Sequence, residues 1–239
     1  MIELNKIYNE DCLDTLSKLE DNSIKAVITS PPYNMNLRIR NGKYCSRQVV
    51  KEFSTKYNDF DDNLTIDEFY KFHKKVLDEL IRVSEFVFYN IQFVTGSKRA
   101  FFKLIGEFSE QLKEVIIWDK VNAQPAMSVG VLNSQYELIL VFDKFNAISR
   151  KFYDATFRGN FSNVWKIKRE YKRQGHGAVF PEELVENILA NLISSGGIIY
   201  DPFCGTGTTC VVAKKLGFNS IGSEISQEYV DLSNKKLCN

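Results

Sequence analysis

The stretch Ile28-Thr29-Ser30-Pro31-Pro32-Tyr33-Asn34 decides the fold, because it ends a strand abruptly. The apolar run from Ile24 to Ile28 precedes it and predicts a buried strand. Two consecutive prolines then stop both a strand ladder and a helix, since neither has a backbone N–H and each fixes its own φ. The chain therefore leaves the sheet at the carboxyl end of a strand, where open α/β sheets bind their ligands.

Three groups are delivered at this exit: the hydroxyl of Ser30, the carbonyl of Pro31 and the ring of Tyr33. Hydrogen-bond acceptors beside an aromatic ring suit a planar group with an amino substituent, such as a nucleobase taken out of its stack. A strand-ending turn with a packing tyrosine explains the tetrapeptide alone equally well. The choice between the two depends on the rest of the chain.

Outward from this stretch, strands alternate with helices, which indicates a mainly parallel sheet covered on both faces. Asp11 is the predicted N-cap of the first helix, and Thr65-Ile66-Asp67-Glu68 is a capping box. Residues 35–62 and 121–133 are predicted as loops, the first of them long enough to be functional or mobile. The strands are predicted at 24–29, 86–91, 114–118, 136–142, 198–200 and 220–223, and the helices at 12–19, 65–83, 98–112, 181–192 and 210–216.

A second motif, Asp201-Pro202-Phe203-Cys204-Gly205-Thr206-Gly207-Thr208-Thr209, follows the predicted strand at 198–200. Its glycines allow a sharp turn into a helix and a close approach of backbone N–H groups to a ligand. Glu224 ends the next strand, where an acid can bind ribose hydroxyls. The third glycine of a dinucleotide loop and the lysine of a Walker loop are both absent. A tight turn explains a bare G-x-G, but the leading Asp-Pro-Phe and the distal Glu224 favour a cofactor loop.

Composition sets the class of protein and its compartment. The chain has 239 residues, 44% hydrophobic and 26% charged, as in an ordinary soluble globular protein. It has no apolar run long enough to span a bilayer and no signal-peptide pattern at its start, so we expect a cytoplasmic protein without a membrane partner. Its five cysteines are odd in number and lack CxxC spacing. We therefore expect reduced cysteines and no metal site.

Positive charge is concentrated in two segments, although the formal net charge is only +1. Aromatic residues are interleaved with the basic ones in both segments, a combination typical of phosphate contacts and stacking. A solvated face is the usual explanation of a charged run, but two such runs flanking a base pocket favour nucleic acid. The candidate DNA-binding residues are Arg38, Arg40, Lys43, Arg47, Arg158, Lys166, Lys168, Arg169, Lys172 and Arg173.

The two motifs together resemble those of the DNA amino-methyltransferases. Residues 201–208 resemble their S-adenosylmethionine loop, and Ser30-Pro31-Pro32-Tyr33 resembles their catalytic tetrapeptide. The order, catalytic motif first, resembles the permuted beta group, whose fold is a doubly wound, Rossmann-like sheet. In that group an acid ahead of the catalytic strand contacts the adenine side of the cofactor, and a Phe-Pro helix closes over its methionine. The resemblance implies S-adenosyl-L-methionine as cofactor, Ser30, Pro31, Pro32 and Tyr33 as catalytic residues, and cofactor contacts from Asp11, Cys12, Phe180, Pro181, Asp201, Pro202, Phe203, Cys204, Gly205, Thr206, Gly207, Thr208, Glu224 and Ile225.

Domain organisation follows from the same resemblance. We expect a single methyltransferase domain over residues 1–239, with a catalytic half at 1–145 and a cofactor-binding half at 179–239. The segment at 146–178 lies where the beta group keeps its target-recognition region. Double-stranded DNA is the expected partner, with a homodimer as the assembly and a cognate restriction endonuclease acting on the same site.

The modified base is predicted to be cytosine, at N4, because Ser-Pro-Pro-Tyr resembles the cytosine enzymes. Asp- or Asn-Pro-Pro-Tyr is the commoner adenine-N6 form, and adenine also offers an amino group, so adenine N6 is the alternative. RNA or a protein glutamine are further substrates of such pockets. A non-catalytic nucleic-acid-binding module on the same fold is a separate alternative, which would predict a damaged cofactor loop.

Overall fold

The computed structural model describes residues 2–35, 37–40, 43–46, 63–124, 126, 129–153, 155, 157–169, 180–193 and 196–238. The strands are β1 Lys6–Asn9, β2 Ile24–Thr29, β3 Leu37–Arg40, β4 Lys43–Ser46, β5 Ser84–Ile91, β6 Leu112–Gln124, β7 Ser134–Asp143, β8 Val164–Lys166, β9 Ile198–Asp201 and β10 Asn219–Glu224. The helices are α1 Cys12–Leu16, α2 Ile66–Val83, α3 Lys98–Glu107, α4 Glu182–Asn191, α5 Thr208–Lys215 and α6 Gln227–Cys238.

In the part of the chain that the structure describes, eight strands form one sheet in the order β1-β10-β9-β2-β5-β7-β6-β8. Seven of them run in the same direction, and β7 is antiparallel to both of its neighbours, β5 and β6. The sheet is therefore mainly parallel, as the alternation of strands and helices predicts. Because β7 is reversed, its first residues lie at the same edge of the sheet as the last residues of β6.

Two apolar cores cover the two faces of the sheet. Alternate residues of β2 point to opposite faces, so Val27 packs with helices α1 to α3 while Ile28 packs with helices α4 and α5. A third, smaller cluster joins α6 to the β1 edge. Layers of helices on both faces confirm the α/β fold class.

Several boundaries differ from the sequence prediction. Helix α3 ends at Glu107, not near residue 112, because Leu112 begins β6. Strand β6 continues to Gln124 into the predicted loop at 121–133. Strands β1 and β8 and helix α6 have no counterpart in the prediction. The two strands are only 4 and 3 residues long and lie at the sheet edges, so they lack an apolar run.

The predicted loop at 35–62 contains a short antiparallel hairpin, β3 with β4. The rest of that loop, from residue 47, lies outside the described residues. Among the helices that the structure describes, none is both long and apolar enough to cross a membrane.

Candidate active site

The two sequence motifs meet because the strands before them are neighbours. Strands β2 and β9 pair in parallel, so the segments that follow them lie side by side at the carboxyl edge of the sheet. The Oγ1 atom of Thr29 donates a hydrogen bond of 2.6 Å to Asp201 Oδ1, across 172 positions of sequence. The Oγ1 atom of Thr209 donates to the carbonyl of Ile28 at 3.3 Å. Two motifs that are distant in sequence are thus bonded directly.

Asp201 is the buried member of this bridge. Burial raises the pKa of its carboxyl to about 6, and hydrogen bonds from Thr29, Thr209 and the backbone of Phe203 act in the opposite direction. The Phe203 N–H donates to Asp201 Oδ1 at 3.1 Å, which shapes the first turn of the loop. The contacts make Asp201 a support for both motifs.

The tetrapeptide presents its polar atoms together. Pro31 and Pro32 are buried, whereas Ser30 and Tyr33 are half-buried. Ser30 Oγ and Tyr33 Oη are 2.7 Å apart. The hydroxyl and the ring expected from the sequence therefore lie at one place.

Asn34 fixes the direction in which the chain leaves the tetrapeptide. Its φ is +57°, in the left-handed region, and its Nδ2 donates to the carbonyls of Leu64 and Gly96 at 2.8 and 2.9 Å. A Cβ at Gly96 would lie 2.1 Å from the Asn34 carbonyl oxygen, so this close approach requires glycine. Asn34 thus supports the pocket through the backbone.

A polar cluster joins two residues of the tetrapeptide to three buried residues that sequence reasoning missed. Its members are Ser30 and Tyr33, and the buried Asn90, Lys120 and Glu137. Asn90 Nδ2 lies 2.6 Å from Tyr33 Oη and 2.7 Å from Glu137 Oε2. Tyr33 Oη is 3.1 Å from the same Glu137 oxygen. Lys120 Nζ donates to Glu137 Oε1 at 3.1 Å, and the Lys120 side chain is completely buried.

Arg169 is also close to this cluster. Its Nη2 lies 4.0 Å from Glu137 Oε1, and its side chain is 14% exposed. The sequence grouped Arg169 with surface residues that contact DNA phosphates, but the structure places it largely inside the protein.

His73 of α2 contacts the tetrapeptide from inside the protein, at the Pro32 backbone. The ring packs among Phe69, Phe101 and Tyr89, and Nδ1 lies 2.5 Å from Tyr89 Oη. Burial lowers the pKa of His73 to about 3, opposed by an interaction with the Pro32 backbone. A neutral imidazole is thus buried next to the two prolines.

The loop after β9 has the geometry of a ligand cradle. Gly205 and Gly207 have φ values of +49° and +82°, and a Cβ on Gly207 would lie 2.8 Å from the Ser233 Cβ. The Gly205 N–H donates to Glu224 Oε2 at 2.8 Å, and the Ser226 N–H donates to Oε1 at 2.9 Å. Each carboxylate oxygen of Glu224 has a further lone pair, so the acid can also accept from a pair of neighbouring hydroxyls.

The other predicted cofactor residues surround this cradle unevenly. Asp11 caps α1, accepting from the Leu13 N–H at 2.8 Å, and is exposed at the same edge of the sheet. Cys12 is buried, and burial raises the pKa of its thiol far above its usual value. Ile225 is exposed directly after Glu224.

The remaining predicted cofactor residues, before α4 and in the loop after β9, are mainly buried. Phe180 packs edge-on against Trp118, and Pro181 is the buried N-cap of α4. Cys204 Sγ lies 3.6 Å from Cys210 Sγ beneath the loop. Pro202 and Thr208 are buried, while Phe203 and Thr206 are half-buried.

The basic residues divide into three groups. Arg158, Lys166 and Lys168 are exposed, and in and beside β8 the two lysines alternate with buried Trp165 and Ile167. Three others lie on the β3–β4 hairpin, where the structure describes only their backbone: Arg38, Arg40 and Lys43. Three more lie outside the described residues: Arg47, Lys172 and Arg173.

The sequence matches a known protein family and known relatives over most of its length. The family model described as DNA methylase matches residues 24–235, which is most of the chain. The type II methyltransferase M.HinfI of Haemophilus influenzae is 28% identical, over 98% of this chain and 68% of its own length.

Solved structures share the fold. The PvuII DNA methyltransferase, described as cytosine-N4-specific, superposes with a TM-score of 0.72 at 18% identity, covering 96% of this chain and 85% of its own. TTHA0409 of Thermus thermophilus, solved in complex with S-adenosyl-L-methionine, gives a TM-score of 0.66 at 19% identity, covering 98% and 94%.

Proposed function

The chain belongs to the N6/N4 DNA methylase family, and we propose that the group it methylates is N4 of cytosine in duplex DNA. Members of this family transfer a methyl group from S-adenosylmethionine to an exocyclic amino group of DNA. The observation that carries the choice of cytosine is the serine at the first position of the tetrapeptide, whose Oγ lies 2.7 Å from the Tyr33 hydroxyl oxygen.

The cradle fits the cofactor by the chemistry of its groups. Glu224 would accept from the two ribose hydroxyls, and the backbone of residues 205–207 would border the amino-acid portion. Asp11 would lie toward the adenine and Phe180 toward the methionine. When bound, the cofactor supplies an electrophilic methyl group on a positively charged sulfur.

The chain's own residues prepare the acceptor nitrogen. Its lone pair is delocalised into the base, so the base is flipped out and held against the Tyr33 ring. Ser30 Oγ and the Pro31 carbonyl would each accept a hydrogen bond from one amino hydrogen, which localises electron density on nitrogen as it becomes tetrahedral. After the transfer, the methylated nitrogen releases one of these protons to solvent. Holding the nitrogen in line with the methyl group supplies much of the rate.

The assembly and the partners belong to the same proposal. The exposed lysines near β8 would contact phosphates along the segment 146–178, and the chain would act as one domain that forms a homodimer. A restriction-modification role is supported by the name of its type II relative, with a cognate endonuclease that reads the same site. We place the protein in the cytoplasm.

Nucleoside mass spectrometry of DNA from cells that express the chain tests the proposal. We expect N4-methylcytosine, absent both from cells without the chain and from cells with Tyr33→Ala. Calorimetry must show that the purified Tyr33→Ala variant still binds S-adenosylmethionine, since a folded variant is needed to interpret the loss.

The other outcomes separate the alternatives. N6-methyladenine would keep the family and the site but overturn cytosine as the substrate. Bound cofactor without either mark would direct the search to RNA or protein substrates. A chain without cofactor affinity would be a non-catalytic binding module.

A further inference from the structure

We propose that Glu137 is a positioning residue that orients the Ser30 hydroxyl so that its oxygen, not its hydrogen, faces the amino group of the substrate. The inference rests on the proposed function and assigns a role to a residue outside both sequence motifs. Glu137 lies near the start of the reversed strand β7, which places it at the edge of the sheet where β2 and β5 end.

A serine hydroxyl alone is ambiguous in this pocket. It can donate one hydrogen or accept through its lone pairs, and only acceptance helps to localise the nitrogen lone pair. An Asp side chain at this position, which would resemble the adenine-N6 form of the tetrapeptide, is an acceptor when ionised and needs no orienting group. In this chain, the direction of the Ser30 hydroxyl hydrogen must therefore be fixed by a neighbouring group.

A series of hydrogen bonds from Ser30 through Tyr33 to the Glu137 carboxylate fixes this direction. Ser30 Oγ is 2.7 Å from Tyr33 Oη, and Tyr33 Oη is 3.1 Å from Glu137 Oε2. An ionised carboxylate only accepts, so the Tyr33 hydroxyl donates to it in a charge-assisted bond. Tyr33 Oη must then accept from Ser30, whose hydrogen is directed away from the substrate.

The surroundings of Glu137 keep it an acceptor. The groups that face it are the Tyr33 hydroxyl after β2, the Asn90 amide of β5, Lys120 of β6 and Arg169 after β8. All of them present hydrogens or positive charge to the carboxylate oxygens. Asn90 Nδ2, 2.7 Å from Glu137 Oε2, is thereby fixed as the donating end of its amide.

Unused acceptor capacity remains beside Ser30. Within the described part of the chain, the buried Asn90 Oδ1 has no hydrogen-bond partner. Buried acceptors are costly when unpaired and are generally satisfied by a ligand or water. An acceptor in this cluster without a partner in the described chain suits a ligand that brings hydrogens, as an amino group does.

Glu137→Gln is the informative substitution because it preserves shape and removes the charge. Tyr33 is then free to donate to Ser30 across the shorter 2.7 Å contact, which turns the Ser30 hydrogen toward the substrate. We expect the single-turnover rate of methyl transfer to fall by about 100-fold, the scale seen when one preorganised hydrogen bond is lost from a catalytic site. Affinities for S-adenosylmethionine and for DNA should change by less than about threefold, because the proposed role of Glu137 acts through Tyr33 and Ser30 and not through a contact of its own with either ligand.

The same two strands provide a matched control. Lys113 and Asp143 form a second buried ion pair of 2.9 Å between β6 and β7, at the opposite end of the strands. Asp143→Asn removes a comparable charge without contacting Ser30 or Tyr33, so its methyl-transfer rate should equal that of the wild type. If Glu137→Gln fails to fold because Lys120 loses its partner, the double variant Lys120→Met/Glu137→Gln removes the buried lysine charge as well and takes its place in the experiment.

Coupling to Tyr33 distinguishes orientation from mere support. Tyr33→Phe keeps the ring but removes the hydroxyl that links Ser30 to Glu137. Adding Glu137→Gln to Tyr33→Phe should therefore slow the reaction no further. As a control, adding Asp143→Asn to Glu137→Gln should leave the rate of the Glu137→Gln variant unchanged. A Glu137→Gln rate equal to wild type, or losses that multiply with Tyr33→Phe, would overturn this inference alone. A wild-type chain that binds cofactor but methylates no DNA would overturn the proposed function, and this inference with it.

Discussion

Asp201 shows how a single buried carboxyl makes stability depend on pH. Its pKa is raised by burial from 3.8 to about 6, so the folded chain holds a proton that the unfolded chain has already released. The contribution of Asp201 to stability should therefore decrease as pH rises from 4 to 6 and stay constant above that range. The two-unit shift corresponds to about 3 kcal/mol.

Asp201→Asn isolates this contribution, because asparagine can still accept from Thr29 and from the Phe203 N–H. In urea unfolding, the variant should gain stability relative to wild type by about 3 kcal/mol between pH 4 and pH 7. A difference that does not change with pH would contradict the raised pKa.

Gly207 and Gly217 allow backbone strain to be separated from close packing. Both have a φ of +82°, but a Cβ at Gly207 would lie 2.8 Å from the Ser233 Cβ, whereas Gly217 has nothing within 4 Å. Gly217→Ala should cost about 1 kcal/mol in unfolding free energy for the left-handed backbone alone. Gly207→Ala should cost at least about 1 kcal/mol more, because the loop must also move away from Ser233.

The same comparison has a functional readout. Gly207→Ala should weaken S-adenosylmethionine binding in calorimetry, while Gly217→Ala should leave the affinity unchanged. Equal affinities in the two variants would show that the turn at Gly207 is not part of the cradle.

At the scale of elements, helix α2 is the common support of both motifs. It begins at a capping box in which Thr65 and Glu68 bond each other's backbone N–H, at 3.3 and 3.0 Å. Further along the helix, Phe72 packs against Phe203 of the cofactor loop, and His73 interacts with the Pro32 backbone. A change within one helix can therefore displace both the acceptor pocket and the cradle.

His73 predicts a pH dependence opposite in sign to that of Asp201. Its pKa falls on folding from 6.5 to about 3, so its contribution is complete above pH 6.5 and is lost progressively as pH falls toward 3. Relative to His73→Gln, the wild type should lose about 3 kcal/mol of stability between pH 7 and pH 4.5 in chemical unfolding. A constant difference would mean that the pKa of the ring is the same in the folded and the unfolded chain.

Elements also explain what sequence could and could not predict. Ser30 and Asp201 could be placed because each follows a strand with a strong apolar run, and parallel strands bring such positions to one edge. Glu137 and Lys120 lie inside strands, where polar residues are ordinarily read as solvent-facing. Only the reversal of β7 places Glu137 at the edge that holds the site, and no local pattern encodes a strand's direction.

At the scale of the whole molecule, charge should govern the encounter with DNA. Lys166 and Lys168 are exposed on one side of the β8 edge, and each phosphate contact releases condensed counterions. Replacing both by alanine should reduce the slope of log affinity against log salt by about 2, with little effect on the transfer rate. Fluorescence anisotropy over a salt series measures the slope, and Lys75→Ala, an exposed lysine of α2, is the control that should not change it.

The hydrogen bond from Thr29 to Asp201 has an evolutionary consequence. It joins positions that are 172 residues apart in the sequence, and an apolar substitution at either one removes a buried hydrogen bond of the other. Divergence at the two positions should therefore be correlated, with hydroxyl and carboxyl either retained together or replaced together by apolar residues. The ends of the two strands beneath the motifs should therefore change together during divergence.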